Sequence, residues 1–398
     1  MACLPNELIV WEILVRLPVK SLLRLQCVCK PWRDTISGDP SFAQSHLRRH
    51  PQQKEKYHSL LIAPRAYSNM VEPRMIIDAV NSHGLYRWEE SRPHAATLLH
   101  DTSSLPAEVT WRRHAFAHCD GLVLLPTKAN VCLVNPVTHR VLTLPWRPNS
   151  VAPRRCLQVG GHQAFGFGRD PRSNAYKVAR IFYRETQAMG NIGMEVFTVG
   201  KDQYWHETSA QPPYPFVVGR TSTFFKGSLI WTVNLDLLMF DESSPDGVAN
   251  KPCFVLFSLE DESFSVMKGP PWYQGDDCFN SILAELNGAL AVPRQGFNGS
   301  VEIWMCDDVQ GNKAPRWEPR HVLDYRFSVR LIAMFDDEIV YQDGSDYLRR
   351  HTYQGDKIMV RMNLMEYYNP SMGMLVGYSQ KDVVRFDVMF YIPTLVQL

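Results

Sequence analysis

The sequence predicts a mainly β chain: a small helical segment at the N-terminus, followed by a ring of about six four-stranded sheets. Three observations lead there. The opening stretch carries apolar residues at helical spacing. Beyond Lys56 that spacing disappears, and short β-branched and aromatic runs alternate with Gly, Pro, Asn and Asp. Two kinds of hairpin then recur in alternation, with a repeat of about fifty to sixty residues.

The helical segment comes first. Pro5 suits a first helical position, where its missing N–H has no intrahelical partner anyway. Leu8, Trp11, Leu14 and Leu17 recur at three-residue steps, and Pro18 stops that helix. Ser21 is placed to cap the next one. There Leu22, Leu25, Cys29, Trp32 and Ile36 continue an apolar stripe. So short a segment cannot enclose its own core, so its apolar faces must pack on the rest of the chain or on a partner. The polar run from His46 to Lys56 marks a boundary. The expected organisation is residues 1–47, a linker at 48–56, and a β domain at 57–398.

Within the β domain the first hairpin type is tight. Runs ending at Cys119, Phe225 and Leu286 turn at Asp120-Gly121, Lys226-Gly227 and Asn287-Gly288. Asp-Gly and Asn-Gly suit a type I′ turn, which requires positive φ at both central residues. Leu331 to Phe335, with Asp336-Asp337-Glu338 before Ile339, reads as a fourth copy without the glycine. The second type joins Val131–Val134 to Arg140–Pro145 through Asn135-Pro136-Val137-Thr138. It joins Phe254–Ser258 to Phe264–Met267 through an acidic turn, and recurs after Val301 and after Tyr347. A further copy contains Ala164–Phe167, Lys177–Phe182 and Met194–Val199. Five units therefore follow Thr110. Strands at 59–62 and 74–77, joined by the C-terminal run Val383–Tyr391, make a sixth. Such sheets are apolar on both faces, and radial stacking into a propeller buries them; a stack of sandwich-like sheets is the alternative.

Composition narrows the function. A hydrophobic fraction of 45% is that of a folded protein. A net charge of +1 gives no basic surplus for nucleic acid and no acidic tail. Neither a signal-peptide pattern nor a run of about eighteen apolar residues is seen, so secretion and a membrane span are not expected. Nine scattered cysteines, mostly in apolar runs, fit a reducing compartment, so the expected location is cytoplasmic or nuclear. Asn298-Gly299-Ser300 is then a turn rather than a glycosylation site.

Two stretches resemble known families. Leu4-Pro5-Asn6-Glu7-Leu8, Ile13-Leu14-Val15-Arg16-Leu17-Pro18-Val19-Lys20-Ser21-Leu22, Cys27-Val28-Cys29-Lys30-Pro31-Trp32-Arg33 and Asp39-Pro40-Ser41-Phe42 together resemble an F-box of the plant form. The stretch from Leu8 to Ile13 is one residue longer than the usual spacing, with Trp11 as the extra residue. From about His114 onward the chain resembles the plant F-box-associated, kelch-like domain. The motifs are Cys119-Asp120-Gly121-Leu122, Asn135-Pro136-Val137-Thr138, Phe165-Gly166-Phe167-Gly168-Arg169-Asp170-Pro171, Ile303-Trp304 and the terminal Leu395-Val396-Gln397-Leu398. Pro393 departs from that pattern, replacing an acidic residue.

The F-box resemblance implies docking on a Skp-family adaptor, and through it a cullin–RING ligase. Leu4, Pro5, Leu8, Ile13, Leu14, Leu17, Pro18, Leu22, Leu23, Leu25, Val28, Cys29, Trp32 and Ile36 are the expected adaptor-contacting or supporting residues. The chain would then be the substrate-recognition subunit of an SCF-type ubiquitin ligase, with the propeller holding an unknown target protein and no cofactor. An adaptor-bound scaffold and a propeller enzyme or glycan-binding propeller, acting outside ubiquitination, are the other classes.

No catalytic pattern accompanies these motifs. His114 and His118 would share one strand face and Cys119 the other, which suits no metal. Cys27 and Cys29, two apart on a helix, do not face each other. Gly166-Phe167-Gly168 leads into a turn, without the strand-then-helix context of a phosphate loop. No Gly-x-Ser-x-Gly elbow is present. Target contact is expected on Pro-rich connections carrying interface-type residues. Trp146, Arg147, Arg154 and Arg155 lie on one, and Trp272 and Tyr273 on another.

Overall fold

All four tight turns form with positive φ at both central residues: Asp120-Gly121, Lys226-Gly227, Asn287-Gly288 and Asp336-Asp337. Aspartate tolerates the left-handed region better than most side chains, so the fourth turn keeps its shape without glycine. The structure is a computed structural model. It describes residues 5–49, 59–67, 80–82, 84–102, 105, 117–126, 131–145, 164–183, 192–216, 221–234, 252–273, 282–296, 298–308, 315–344, 347–371, 373–376 and 383–398.

After the helices come β1 (Ser59–Tyr67), β2 (Val80–Ser82), β3 (Leu85–Glu89) and β4 (Ala95–His100). Blade 1 contains β5 (Ala117–Cys119), β6 (Leu122–Pro126), β7 (Val131–Asn135) and β8 (Arg140–Thr143). Blade 2 contains β9 (Phe165–Arg169), β10 (Tyr176–Tyr183), β11 (Ile192–Thr198) and β12 (His206–Glu207). Blade 3 contains β13 (Thr223–Phe225), β14 (Ser228–Thr232), β15 (Phe254–Ser258) and β16 (Phe264–Met267). Blade 4 contains β17 (Ala284–Leu286), β18 (Ala289–Gln295), β19 (Val301–Cys306) and β20 (Glu318–Leu323). Blade 5 contains β21 (Val329–Phe335), β22 (Glu338–Asp343), β23 (Tyr347–Thr352) and β24 (Gly355–Arg361). These five four-stranded sheets are antiparallel meanders, each with its first strand innermost.

The sixth sheet closes the ring. β25 (Glu366–Asn369) and β26 (Met374–Val376) extend it outward from β4, and β27 (Val383–Phe390) lies antiparallel on β1 from Leu60↔Phe390 to Ala66↔Val383. The C-terminal run thus supplies the inner strand of a seven-stranded sheet, with β1 to β4 from residues 59–100 and β25 and β26 on its outer side. The expected strand at 74–77 lies outside the described residues. Phe386, Val388, Met389 and Tyr391 are buried. Gly121 has φ +79°, and a Cβ there would come within 2.1 Å of the Ile392 carbonyl oxygen. Only glycine lets the blade 1 turn meet the closing strand this closely.

Ring rather than sandwich follows from burial. Every residue of β6, β7, β11 and β14 is buried, whereas β8 is largely exposed. Middle strands are covered on both faces by neighbouring blades, so they read as continuous apolar runs. Gly166 and Gly168 belong to this packing and not to a phosphate loop. A Cβ at 166 would fall within 3 Å of Ser222, Leu229 and Trp231, and one at 168 within 3 Å of Phe224. Blade 2 therefore approaches blade 3 through missing side chains.

The N-terminal segment is helical, as its spacing predicted, but its first helix is not regular. α1 (Asn6–Leu8) passes into a π-helical turn at Ile9–Ile13 and a 3₁₀ turn at Leu14–Arg16. The Leu14 N–H reaches both Ile9 and Val10 carbonyls. A π turn absorbs one extra residue without breaking the helix, and it spans the place where Trp11 was surplus. The expected stripe is thereby rotated. Val10, Leu14 and Val15 point inward, while Leu8, Trp11 and Ile13 point out. α2 (Val19–Leu25), α3 (Lys30–Gly38) and α4 (Pro40–Arg49) follow, so helix continues past the expected boundary at 47. Asp39 caps α4, its Oδ1 accepting from the Ser41 and Phe42 N–H groups at 2.8 and 3.3 Å, with Pro40 in the first turn.

Candidate functional site

The helical segment has two unlike faces. Leu14, Leu22, Ile36, Phe42 and Ala43 form its interior together with Val10, Val15 and Val19, and this cluster also takes in Val137 and Leu395 of the propeller. Val137 sits in the β7–β8 turn and Leu395 in the C-terminal tail. Asn135, fully buried, ties these two together. Its Nδ2 donates to the Thr394 and Val396 carbonyls at 3.1 and 2.8 Å, and its Oδ1 accepts from the Val137 and Thr138 N–H groups. Gln397 donates to the Ser37 carbonyl in α3. The tail is thus a strap between ring closure and helices.

The other face is apolar and open. Leu8 is 50% exposed, Trp11 37%, Ile13 47% and Val28 60%. Pro5 and Pro18 are exposed beside them, and Leu17, Leu23, Leu25, Cys29 and Trp32 are half-buried. Leu4 lies outside the described residues. The fourteen expected residues therefore divide: Leu14, Leu22 and Ile36 are interior supports, and the others described reach the surface. Trp11, on the expected stripe but not among the fourteen, belongs to the open face and packs its ring on Phe42 at 6.0 Å. The length excess at Leu8–Ile13 was the signal for it. Two contacts hold this face in shape. Trp32 Nε1 donates to Asn6 Oδ1 at 3.3 Å, and the His46 ring bonds the Leu17 carbonyl at 2.9 Å. Burial lowers the His46 pKa, which keeps that ring neutral.

The propeller offers a central channel and the connections at its two ends. The channel encloses about 820 Å³ and is lined by inner strands of all six blades, with Leu47 and Arg48 of α4 also on its wall. Its polar groups join blades to one another. Asp120 of blade 1 pairs with Arg169 of blade 2 at 3.1 Å and accepts from the Tyr176 hydroxyl at 3.0 Å. Arg330 of blade 5 reaches Asp387 and the Val388 carbonyl in β27. Glu285 instead braces its own blade 4 turn, accepting from the Gly288 N–H. His118 opens into the channel, where the enclosing walls and then the Arg330 guanidinium lower its pKa. Burial raises the neighbouring Cys119 thiol well above its ordinary value, leaving it an inert thiol. No group of three metal-ligating side chains occurs among the described residues. No helix among them is long and apolar enough to cross a membrane.

The two Pro-rich connections fare differently. Trp146, Arg147, Arg154 and Arg155 lie outside the described residues; Pro145, just before them, accepts from Trp205 Nε1 at 2.7 Å. Tyr273 is 1% exposed and packs on Phe254 at 5.2 Å, so its ring is core and not the surface anchor expected. Trp272 is half-buried between Trp304 and the Arg294 guanidinium, 6.2 and 5.2 Å from its ring.

Comparison with known proteins agrees with this division of the chain. A family profile described as an F-box-associated β-propeller domain matches residues 81–328, and an F-box domain profile matches residues 1–44. An F-box/kelch-repeat protein of Arabidopsis thaliana is 27% identical over 236 residues, covering 56% of this chain and 95% of its own length. Two Arabidopsis thaliana F-box proteins are each 25% identical over 324 residues, covering 77% and 78% of this chain and 66% and 71% of theirs. Among solved structures, a nidogen/laminin complex is similar at 10% identity and a TM-score of 0.40, covering 84% of this chain and 99% of that one. A fungal lectin described as a six-bladed β-propeller is similar at 8% identity and a TM-score of 0.32, covering 62% and 79%.

Proposed function

We infer the function from one premise: the chain belongs to the F-box-associated β-propeller family. It acts as the substrate-recognition subunit of an SCF-type ubiquitin ligase. The N-terminal helices dock a Skp-family adaptor, which links them to a cullin–RING assembly, and the propeller holds a target protein. The chain catalyses nothing. It raises the effective concentration of the target near a charged ubiquitin-conjugating enzyme, in the cytoplasm or nucleus.

The observation that carries this reading is the open apolar face of Leu8, Trp11, Ile13 and Val28 on the segment that matches the F-box profile. Four large apolar side chains left exposed on one short helical unit suit a partner surface. Pro5, Leu17, Pro18, Leu23, Leu25, Cys29 and Trp32 surround it, while Leu14, Leu22 and Ile36 support it from inside. The seating of its opposite face on Val137 and Leu395 supports a rigid relation between adaptor and target.

The test uses surface positions, so that folding is spared. Ile13→Glu with Val28→Glu should abolish capture by a purified Skp-family adaptor. Two contacts worth about 2 kcal/mol each weaken binding roughly a thousandfold. Unchanged capture would refute the docking assignment. Inhibiting cullin activity in cells then separates ligase from scaffold, because captured targets accumulate only in the ligase case.

A further inference from the structure

We propose that the end of the propeller turned away from the helices carries a docking surface for an acidic, aromatic-containing peptide segment of the target, built on a row of rings and guanidiniums in blade 5 and the connection leading into it. The proposal rests on the substrate-receptor reading and names where on the propeller, and to what chemistry, the target binds.

The row begins at Phe327, which is 67% exposed on the connection from β20 to β21. Its ring centroid lies 5.8 Å from that of Tyr325, edge to face. The Arg349 guanidinium lies 5.1 Å from the Tyr325 ring centre and 5.6 Å from that of Tyr347, and Arg361 lies 5.8 Å from Tyr347 on its own account. Phe327, Tyr325, Arg349, Tyr347 and Arg361 thus follow one another without a gap. The middle of the row is locked. Arg349 Nε meets Asp343 Oδ2 at 2.8 Å, and Tyr325 packs on the buried Tyr341 at 5.9 Å.

Connectivity sets the location. The helices seat on the β7–β8 turn and the tail that follows β27, at the end of the ring carrying the tight turns. Tyr325 and Phe327 precede an inner strand, Tyr347 opens β23 and Arg361 closes β24, so all lie toward the opposite end. A target held there does not compete with the adaptor for space.

The chemistry sets the partner. Arg349 is already neutralised by Asp343. Arg326, exposed beside Phe327 and leaning over Gly299, and Arg361, exposed at the far end, have no carboxylate partner among the described residues. These two guanidiniums therefore flank a rigid aromatic row, with Asp324 the exposed acidic neighbour on the same connection. Tyrosine and arginine held in place dominate binding at protein interfaces, because little side-chain entropy remains to be lost. Carboxylates at the two ends and an aromatic side chain between them complement this arrangement. Single-stranded nucleic acid also stacks on aromatic rows, but a net charge of +1 provides none of the basic field on which such binding depends.

The experiment uses the purified full chain, with a Skp-family adaptor added separately for the capture measurement. The probe is a fluorescein-labelled peptide of repeated Glu-Glu-Phe, read by anisotropy beside a Lys-Lys-Phe peptide and an oligothymidylate. The Glu peptide should bind at least tenfold more tightly than the Lys peptide. Phe327→Ala should weaken it tenfold or more, and so should Arg326→Ser with Arg361→Ser, whereas Arg320→Ser, outside the row, should not. Equal affinity for both peptides, or indifference to these variants, overturns the proposal. Binding of the oligothymidylate in preference to the Glu peptide also overturns it and assigns the row to nucleic acid. Adaptor capture is measured on the same samples. Its loss in the unsubstituted chain, with peptide binding kept, would count against the receptor reading and leave the docking surface standing.

Discussion

Replacing Asn135 with alanine should release the C-terminal strap. Asn135 is 0% exposed and makes four hydrogen bonds: two given to the Thr394 and Val396 carbonyls, and two received from the Val137 and Thr138 N–H groups at 3.2 and 3.4 Å. Each is worth about 0.5–1.5 kcal/mol net, and partners left buried without replacement cost more. Water reaching the vacated space recovers part of this, so the expected loss is about 2–4 kcal/mol. At about 1.4 kcal/mol per factor of ten, the open population of the tail rises by roughly thirty- to several-hundred-fold. Carboxypeptidase digestion followed by mass spectrometry reads that population directly, because cleavage tracks it when reclosing is fast. Removal of residues up to Leu395 should accelerate by that factor. Asn135→Asp, which turns a donor into a carboxylate facing two carbonyls, should be at least as severe. Acceleration below threefold in both variants would refute the idea that this side chain holds the strap.

Two further outcomes follow from buried charges. Arg180 and Glu195 form an ion pair at 2.5 Å with both side chains almost fully buried, the guanidinium also lying 5.2 Å from the Trp205 ring. Arg180→Met removes the charge partner of a buried carboxylate and should lower stability by about 3–5 kcal/mol in urea unfolding, with Arg180→Met, Glu195→Leu recovering most of it; a double variant as unstable as the single one would refute this. His100, stacked on His139 at 6.2 Å, has its pKa pushed down to about 4 by burial and then by His139. Its unfolded value of about 6.5 is higher, so the unfolded chain binds the extra proton between the two. Stability should therefore fall as pH drops from 6.5 toward 4, and His100→Gln should flatten that slope in thermal melts; an unaltered slope would count against it.

Much of this molecule is legible because its signals are local. A type I′ turn is specified by two residues, so Asp120-Gly121 and Asn287-Gly288 are readable without knowing what surrounds them. The same holds for Pro18 ending a helix. The extra residue at Trp11 was countable, but a count does not say whether a helix breaks or absorbs the insertion; packing of Val10 and Leu14 on Phe42 and the propeller settles that. Trp272 and Tyr273 are neighbours of similar composition, yet one is half-buried and the other is core, because Phe254 comes from a strand nearly twenty residues earlier.

By itself the sequence determined a helical docking segment followed by repeated four-stranded sheets, since hydrophobic spacing and turn chemistry act over a few residues. Only the tertiary structure decided which residues meet across the ring. β27 pairs with β1 although most of the chain separates them, and Asn135 holds the tail more than 250 residues ahead of it in the chain. The ring–guanidinium row joins Phe327 and Tyr325 to Arg349, Tyr347 and Arg361 across a blade. Contacts between distant segments follow from how blades stack, and stacking depends on side-chain shape summed over whole sheets, which no short stretch of sequence contains.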